Sequence, residues 1–475
     1  MPRLKNRNRT LVARTLSLGA IALVGLVASG CASNRTALRS GARAYDEGNF
    51  MAARDTWLPL AEKGDARAQF CVGVMYAEGK GISADPVEAA RWYARAAEQG
   101  YAPAQNNLGQ AYESGVGVEC DLKAAAHWYA LAADQGHTNA QYNLALMHLH
   151  GNGVARNDAM ATQLVAKAAR AGDANAQFLL GTCYLDGTGV VQSDERAARL
   201  FAKGAAQGLD RAQYGLGVLT QNGRGVEQSY ERAAELYRKA ADQGLAAAQC
   251  DLGLMHYQGW GVERNREEAA RLYRLSADQG FPQAQANLGA MFIAGEAQPR
   301  DAGEPERMLR SAADRGIPEA QFSLAWMLWK GDGTTRNLVE AGTWMRRAAD
   351  GGLAVAQLNL GTMYLKGECI AQNDEQAAIW FRRAADAGLA MAQSNLGLMY
   401  ARGQGVEENH VLAYCWFSLA ATQGDQTACD RVAMLVNALD AKDIEDGDRW
   451  VAAWRVREQP AQAIAGVSEL RGNEE

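Results

Sequence analysis

The sequence predicts an all-α protein: a right-handed α-solenoid superhelix of about ten 36-residue helix pairs, closed by N- and C-terminal capping helices. Three observations carry that prediction. The dipeptide Ala-Gln ends at Gln69, Gln105, Gln141, Gln177, Gln213, Gln249, Gln285, Gln321, Gln357 and Gln393, every interval being 36 residues. Glycine accounts for 50 of 475 residues against only 9 prolines, and 37 of the 50 sit at four fixed phases of that period. Between the glycines, apolar residues recur at helical spacing. Helices of about a dozen residues are marginal alone, and a pair keeps one unburied face until another pair stacks on it. Three presumptive globular domains therefore become one array.

The first thirty residues are not part of that array. Arg3, Lys5, Arg7, Arg9 and Arg14 form a basic start without acids, and Thr15 to Gly30 is uncharged and rich in Leu, Ala and Gly. A basic region, a short apolar core and small residues at the end read as an export signal, whereas a span needs about 20 apolar residues. The ending Ala28-Ser29-Gly30-Cys31 resembles a bacterial lipobox, although Ala28 replaces the usual Leu. That resemblance implies a diacylated Cys31 as the mature N-terminus, and Ala32 in place of Asp implies sorting to the outer membrane, facing the periplasm. An ordinary signal with an incidental cysteine is the alternative.

Cleavage leaves 43 basic against 54 acidic residues, a surface that repels nucleic acid. Seven cysteines remain (Cys71, Cys120, Cys183, Cys250, Cys369, Cys415, Cys429), with no CxxC and no regular spacing, so neither a disulfide framework nor a zinc site is expected. Most read as small buried apolar residues.

Within each unit the first helix has an aliphatic residue three after the Gln, from Val72 to Leu396, and often Tyr at seven, as in Tyr76 and Tyr400. Gly, or Ala at 145 and 325, stands at four and permits close packing. A Gly at ten, from Gly79 to Gly403, suits a left-handed helix stop. At sixteen stand Asp85, Asp121, Asn157, Ser193, Ser229, Asn265, Asp301, Asn337, Asn373 and Asn409, all N-cap types. Asp85-Pro86-Val87-Glu88 adds Pro at the first helical position and a capping-box Glu. The second helix carries pairs such as Trp92-Tyr93 and Trp416-Phe417, an Ala at twenty-eight in every unit, and a closing Gly at thirty-one.

The pattern A-x-A-Q-x-x-L-G-x-x-Y-x-x-G-x-G-V, followed by A-A-x-W-Y-x-x-A-A-x-x-G, resembles the Sel-one-like repeat, a relative of the tetratricopeptide repeat. The resemblance covers residues 65–424. Residues 31–64 then hold the anchor and a shorter tetratricopeptide-like opening unit built around Ala44-Tyr45 and Gly48-Asn49-Phe50. Residues 425–457 resemble the helical closing segment of such arrays, with Asp440 capping a last helix that carries Ile444, Trp450 and Trp454, and 458–475 form a tail. One unit departs from the pattern: Ala297-Gln298-Pro299 replaces its loop and Pro305 falls inside its second helix, which predicts a late helix start.

Chemistry is expected to be absent. The sequence has no H-E-x-x-H, G-x-S-x-G, Walker loop or S-x-x-K, and its six histidines are scattered. No catalytic residue, metal ligand or cofactor is assigned. His148 and His256 stand where other units have the packing Tyr. Some cysteine-rich members of the resembled family are associated with β-lactam binding or hydrolysis, but here Ala421 stands where a partner for Cys429 would be.

The repeats offer a surface instead. Positions one, two, five and nine after each Gln lie opposite the packing stripe, and first helices line the concave side of such solenoids. At position two stand Asn107, Asn143, Asp251, Asn287, Asn359 and Asn395, a ladder able to hydrogen-bond an extended chain, although Asn is also a common residue of the family pattern there. Trp326 points to the same side, with Trp329 toward the core. The resemblance implies a non-catalytic protein interaction scaffold of the cell envelope, its partner another envelope protein. Binding of an extended glycan or cell-wall fragment is the alternative, and a weak β-lactam hydrolase a third.

Overall fold

The protein is described by a computed structural model over residues 32–458. The expected leader, Cys31 with its expected lipid attachment, and the tail after Glu458 lie outside the described residues. Among those described there are 24 α-helices and no strand, an all-α solenoid of helix pairs. They form two compact units, one reaching Ala240 and the other beginning at Ala241, a division that falls inside a helix.

The first unit contains α1 (Ala32–Asp46), α2 (Phe50–Glu62), α3 (Ala66–Glu78), α4 (Pro86–Glu98), α5 (Ala102–Ser114), α6 (Leu122–Asp134), α7 (Thr138–His150), α8 (Asp158–Arg170), α9 (Ala174–Asp186), α10 (Asp194–Ala206), α11 (Asp210–Asn222) and most of α12 (Tyr230–Asp242). The second contains α13 (Ala246–Gln258), α14 (Arg266–Asp278), α15 (Pro282–Ile293), α16 (Glu304–Asp314), α17 (Pro318–Lys330), α18 (Leu338–Asp350), α19 (Ala354–Lys366), α20 (Asp374–Asp386), α21 (Ala390–Arg402), α22 (His410–Thr422), α23 (Gln426–Val436) and α24 (Ala441–Glu458). In the repeats, odd-numbered helices are the first of each pair and even-numbered ones the second.

Caps set the helix boundaries. Asp85 accepts from the backbone N–H groups of Val87 and Glu88 at 3.0 and 3.1 Å, and Asn157, Asn265, Asn337, Asn373 and Asn409 accept likewise in their units. The Glu88 carboxylate turns to Arg91 instead of closing the capping box. First helices end on left-handed glycines such as Gly79, at φ 68°. Gly117, two residues after such a stop, is doubly constrained: its φ is 78°, and a Cβ there would collide with the Pro86 carbonyl at the start of α4. Cys369 occupies the equivalent position with φ 64°. Opposite it stands Gly342, where most units have Ala; a Cβ on Gly342 would lie 3.0 Å from Ile370 and 3.1 Å from the Cys369 carbonyl.

The packing stripe explains the glycine four residues after each Gln. A Cβ on Gly73 would sit 2.7 Å from the Tyr93 ring, on Gly109 2.8 Å from Tyr129, and on Gly361 2.7 Å from Phe381. The two units with Ala at this position, Ala145 and Ala325, face aliphatic Val165 and Met345, all four fully buried. The rings need the glycine, and Val165 and Met345 tolerate the extra methyl; Leu309 does not, since a Cβ on Gly289 would lie 2.4 Å from its Cδ2. Each repeat Gln is buried and donates its side-chain amide to a carbonyl at the end of the preceding second helix, as Gln105 does to Ala97 at 3.1 Å and Gln393 to Ala385 at 3.2 Å. Those carbonyls lie in the helix's last turn, where intrahelical partners run out.

The irregular unit behaves as its prolines predict. α16 begins at Glu304, two residues later than the regular phase, and Gly303 rather than Asp301 is its N-cap. Pro305 then falls in the first turn, where its missing N–H costs nothing. The shortened helix lets α15 and α17 touch directly. Buried Glu304 lies within ion-pair distance of Arg274 and Arg300, and the Arg300 backbone N–H donates to it.

Both ends of the described chain are covered. Trp57 of α2 is fully buried over Gly41 and donates Nε1–H to the Leu38 carbonyl at 3.3 Å. At the other end Asp440 caps α24 through the Asp443 N–H, and Trp450 packs edge-on against Trp416 at 5.1 Å. Tyr414 donates to Asp448 at 2.7 Å across the same contact.

Candidate interaction face

Positions five and nine after each Gln lie on the open side of the first helices, half-buried or exposed throughout except for Val74. Position one is more covered than the helical wheel predicts: Asn106, Cys250, Ala286, Leu358 and Ser394 are buried. The wheel places them correctly on the helix, but the second helix of the same repeat reaches over that edge, as the Phe70–Tyr93 and Phe178–Phe201 ring contacts show.

The asparagine column is half-buried, and three of its members have hydrogen-bond partners inside the stack. Asn107, Asn143 and Asn287 lie near the hydroxyls of Tyr93, Tyr129 and Tyr273, each on the second helix before them, and act to lower the pKa of those tyrosines. Burial raises the pKa of all three tyrosines above the usual range, and the asparagine offsets only part of that rise. Tyr129 also donates to Glu113 at 2.7 Å. Asn143 donates further to Asn106 at 3.2 Å, and Asn106 to Asn107 at 3.2 Å. Asp251 is half-buried beside Cys250 and Tyr273, and its charge raises the pKa of both.

The two columns are related in part: Tyr93, Tyr129 and Tyr273 are each followed by Asn at the next position two, whereas Tyr237 is followed by Asp251, Val165 by Leu179 and Phe201 by Gly215. Asn359 and Asn395 break this rule, following Met345 and Phe381, which have no hydroxyl. Asn359 bonds back to the Val355 carbonyl of its own helix at 2.8 Å. The spacing of 14 residues between Tyr and Asn was readable in the sequence, but no pattern within a single helix exposes it.

Trp326 is half-buried on α17. Its ring lies 6.4 Å from Phe322, stacked, and 4.9 Å from Trp329, with Lys330 Nζ 5.1 Å from its centroid. Trp329 and Phe322 pack on the main core of the second unit. The three rings thus form a ledge whose outer member is Trp326.

Position nine, open on the helical wheel, carries Lys or Arg in one unit and not in the other. In the second unit the last residues of α17, α19 and α21 are Lys330, Lys366 and Arg402, all exposed. In the first unit the same position holds Glu78, Ser114, His150, Asp186 and Asn222. A helix C-terminus favours a cation, yet the first unit does without one, so the helix end does not demand it. The signal was present as three basic residues 36 apart. It is invisible in a net charge of −6.

Other chemistry is sparse. Among the described residues no group of three or more His, Cys, Asp or Glu is placed to hold a metal ion, and no helix is long and apolar enough to cross a membrane. The seven cysteines are unpaired, and burial pushes the thiols of Cys71 up to about 12 and of Cys183 and Cys415 up to about 11, away from thiolate reactivity. His148 and His256 each place Nδ1 3.3 Å from a loop carbonyl, Ala155 and Glu263 respectively.

Comparison with known proteins follows the period. The family model described as Sel1 repeat matches ten consecutive segments, 66–101, 102–137, 138–173, 174–209, 210–245, 246–281, 282–317, 318–353, 354–389 and 390–425. Among solved structures, the chain is similar to c5321, a protective antigen present in uropathogenic Escherichia coli strains that displays an SLR fold. The identity is 30%, the TM-score 0.79, and the match covers 93% of this chain and 97% of that one. It is also similar to a Sel1 repeat protein from Oxalobacter formigenes, at 29% identity and TM-score 0.48 over 50% of this chain and 96% of that one. No curated protein sequence matches.

Proposed function

The chain belongs to the Sel1 repeat family, whose repeats generally mediate protein–protein interaction, and from that premise we propose a non-catalytic scaffold of the bacterial cell envelope. In this reading Cys31 carries a lipid anchor, the array faces the periplasm from the outer membrane, and the open side of the first helices binds a partner protein. One observation carries the binding role. The buried positions repeat nearly unchanged through ten units, whereas position five runs through Val74, Gln110, Leu146, Thr182, Val218, Leu254, Ala290, Trp326, Thr362 and Leu398. Packing fixes the first set and leaves the second to recognition.

The envelope assignment rests on the basic leader and the small residues before Cys31. That c5321 is described as a protective antigen is in keeping with it. Mass spectrometry of the native N-terminus tests the anchor, and an unmodified Cys31 would sink it. Crosslinking in intact envelopes tests the scaffold: a stoichiometric protein adduct that is lost on Trp326→Ala supports it, and the lack of any protein adduct overturns it. Turnover of a β-lactam by purified protein would overturn the non-catalytic part.

Trp326 with Asn359 and Asn395, neither of which bonds a tyrosine, favours a second reading, an extended glycan on the same face. Direct binding of soluble cell-wall fragments, lost on Trp326→Ala and Asn395→Ala, would establish it.

A further inference from the structure

The basic column of the second unit narrows the partner's chemistry. Lys330, Lys366 and Arg402 end three consecutive first helices at the same phase of the repeat, each followed by its left-handed glycine, Gly331, Gly367 or Gly403. All three are exposed, and none is paired in any ion pair identified in the structure. This sets them apart from the many arginines of the chain that hold an Asp or Glu nearby, such as Arg382 with Asp386 and Arg310 with Glu340.

Next to Lys330 stands the half-buried Trp326 ring, while the exposed Val355 and Met391 lie at the opposite, N-terminal ends of α19 and α21. In a chain with 54 acidic and 48 basic residues, a basic column outside every ion pair is a local departure from the surface average.

We propose that this face of α17, α19 and α21 docks an extended acidic segment of the partner protein, its carboxylates on Lys330, Lys366 and Arg402 and one of its apolar side chains on Trp326. The proposal rests on the scaffold reading above and names the partner's chemistry within it. Charge complementarity selects the occupant. A neutral glycan gains nothing from three cations, and nucleic acid is repelled by the acidic remainder of the chain.

An extended form lets one segment reach all three. Lys330, Lys366 and Arg402 stand on alternate helices, with α18 and α20 packed between them, and an extended chain advances about 3 Å per residue where an α-helix advances only about 1.5 Å.

The test uses the whole chain from residue 31, carrying Cys31→Ser to keep it lipid-free, and a fluorescent twelve-residue proline-rich peptide with Glu at every third position and one Phe. Binding is expected to weaken by about tenfold or more in the triple variant Lys330→Glu, Lys366→Glu, Arg402→Glu, and by at least about fivefold in Trp326→Ala. Raising salt should weaken it further. These side chains are exposed or half-exposed, so thermal melts of the variants report whether folding is intact, and Lys123→Glu with Lys167→Glu and Lys203→Glu, all exposed in the first unit, serves as the charge-matched control. Binding equal in the triple variant and the control overturns the proposal, as does preference for an acidic polysaccharide such as polygalacturonate over the peptide.

Envelope crosslinking separates the two levels. A protein adduct kept by the triple variant overturns this proposal and leaves the scaffold reading standing, whereas the absence of any protein adduct removes the scaffold reading itself.

Discussion

Gln99 donates its side-chain amide to Oε1 of Gln69 at 2.7 Å, linking the residue just after the second helix of a repeat to the buried glutamine of its first. The contact recurs between Gln135 and Gln105, Gln207 and Gln177, Gln279 and Gln249, and Gln423 and Gln393. Because each buried Gln also donates to the preceding second helix, one side chain ties three helices. Where the residue thirty positions on is Arg315 or Ala387, the Oε1 of Gln285 or Gln357 is buried without a partner.

That difference predicts unequal costs for the same substitution. Gln105→Leu removes a satisfied amide and should destabilise by about 1 to 3 kcal/mol more than Gln357→Leu, which also relieves an unsatisfied oxygen. Conversely, Ala387→Gln supplies the missing donor on a backbone like that of Gln99, φ −79° against −83°, and should stabilise by about 1 kcal/mol. Urea unfolding of the three variants decides; equal midpoints for the two leucine variants would remove the argument.

Gly109→Ala forces a methyl into the Tyr129 ring and should cost about 1 to 3 kcal/mol. The chain already holds the compensated combination at Ala145 and Val165. Gly109→Ala with Tyr129→Val should therefore lose less stability than the two single variants added together. Strict additivity in the double-mutant cycle would show that the ring does not dictate the glycine.

Cys369→Gly replaces a side chain held at φ 64° by the residue that eight of the ten units carry at this position. Left-handed backbone costs a non-glycine residue about 1 to 2 kcal/mol, so the variant should raise the unfolding midpoint. A lowered midpoint would mean that contacts of the thiol outweigh the strain.

Alkaline pH should loosen the stack. Burial, then the nearby Glu113 charge, holds the Tyr129 hydroxyl above its ordinary 10.0, and burial does the same for Tyr93 and Tyr273. A pKa raised in the folded state contributes stability that is complete below the unfolded value and is lost as pH rises above it. The urea midpoint should hold steady to about pH 10 and fall beyond it, with phenolate absorbance rising together with unfolding. Tyr129→Phe should flatten that fall, and tyrosines that titrate fully while the helices remain intact would refute it.

The repeat fold was legible because its determinants are local and repeated ten times. The cap at Asp85, the stop at Gly79 and the stripe from Val72 onward each act within one helix, so spacing alone reveals them. The irregular unit was legible for the same reason: Pro305 restricts the chain wherever it stands. Asp301 was read as a cap because its type fits, but the late start of α16 moved the cap to Gly303.

The candidate site was legible only in part. Trp326 stood out as a residue type, and the structure puts it at the edge of a ring ledge. The asparagines also stood out, yet Asn107, Asn143 and Asn287 meet tyrosines 14 residues earlier, on a different helix. A single-helix wheel has no term for such a partner.

The sequence by itself determined the period, the helix boundaries, the all-α class and the family, because each follows from backbone preferences and apolar spacing along the chain. Only the tertiary structure decided which polar residues are spent inside the stack and which remain open. Gln69 and Asn107 were partnered by packing, whereas Lys366 and Arg402 were left to solvent and Lys330 meets only the half-buried Trp326 ring. A hydrogen bond or an ion pair depends on what another helix brings within reach, and spacing within one helix does not record that.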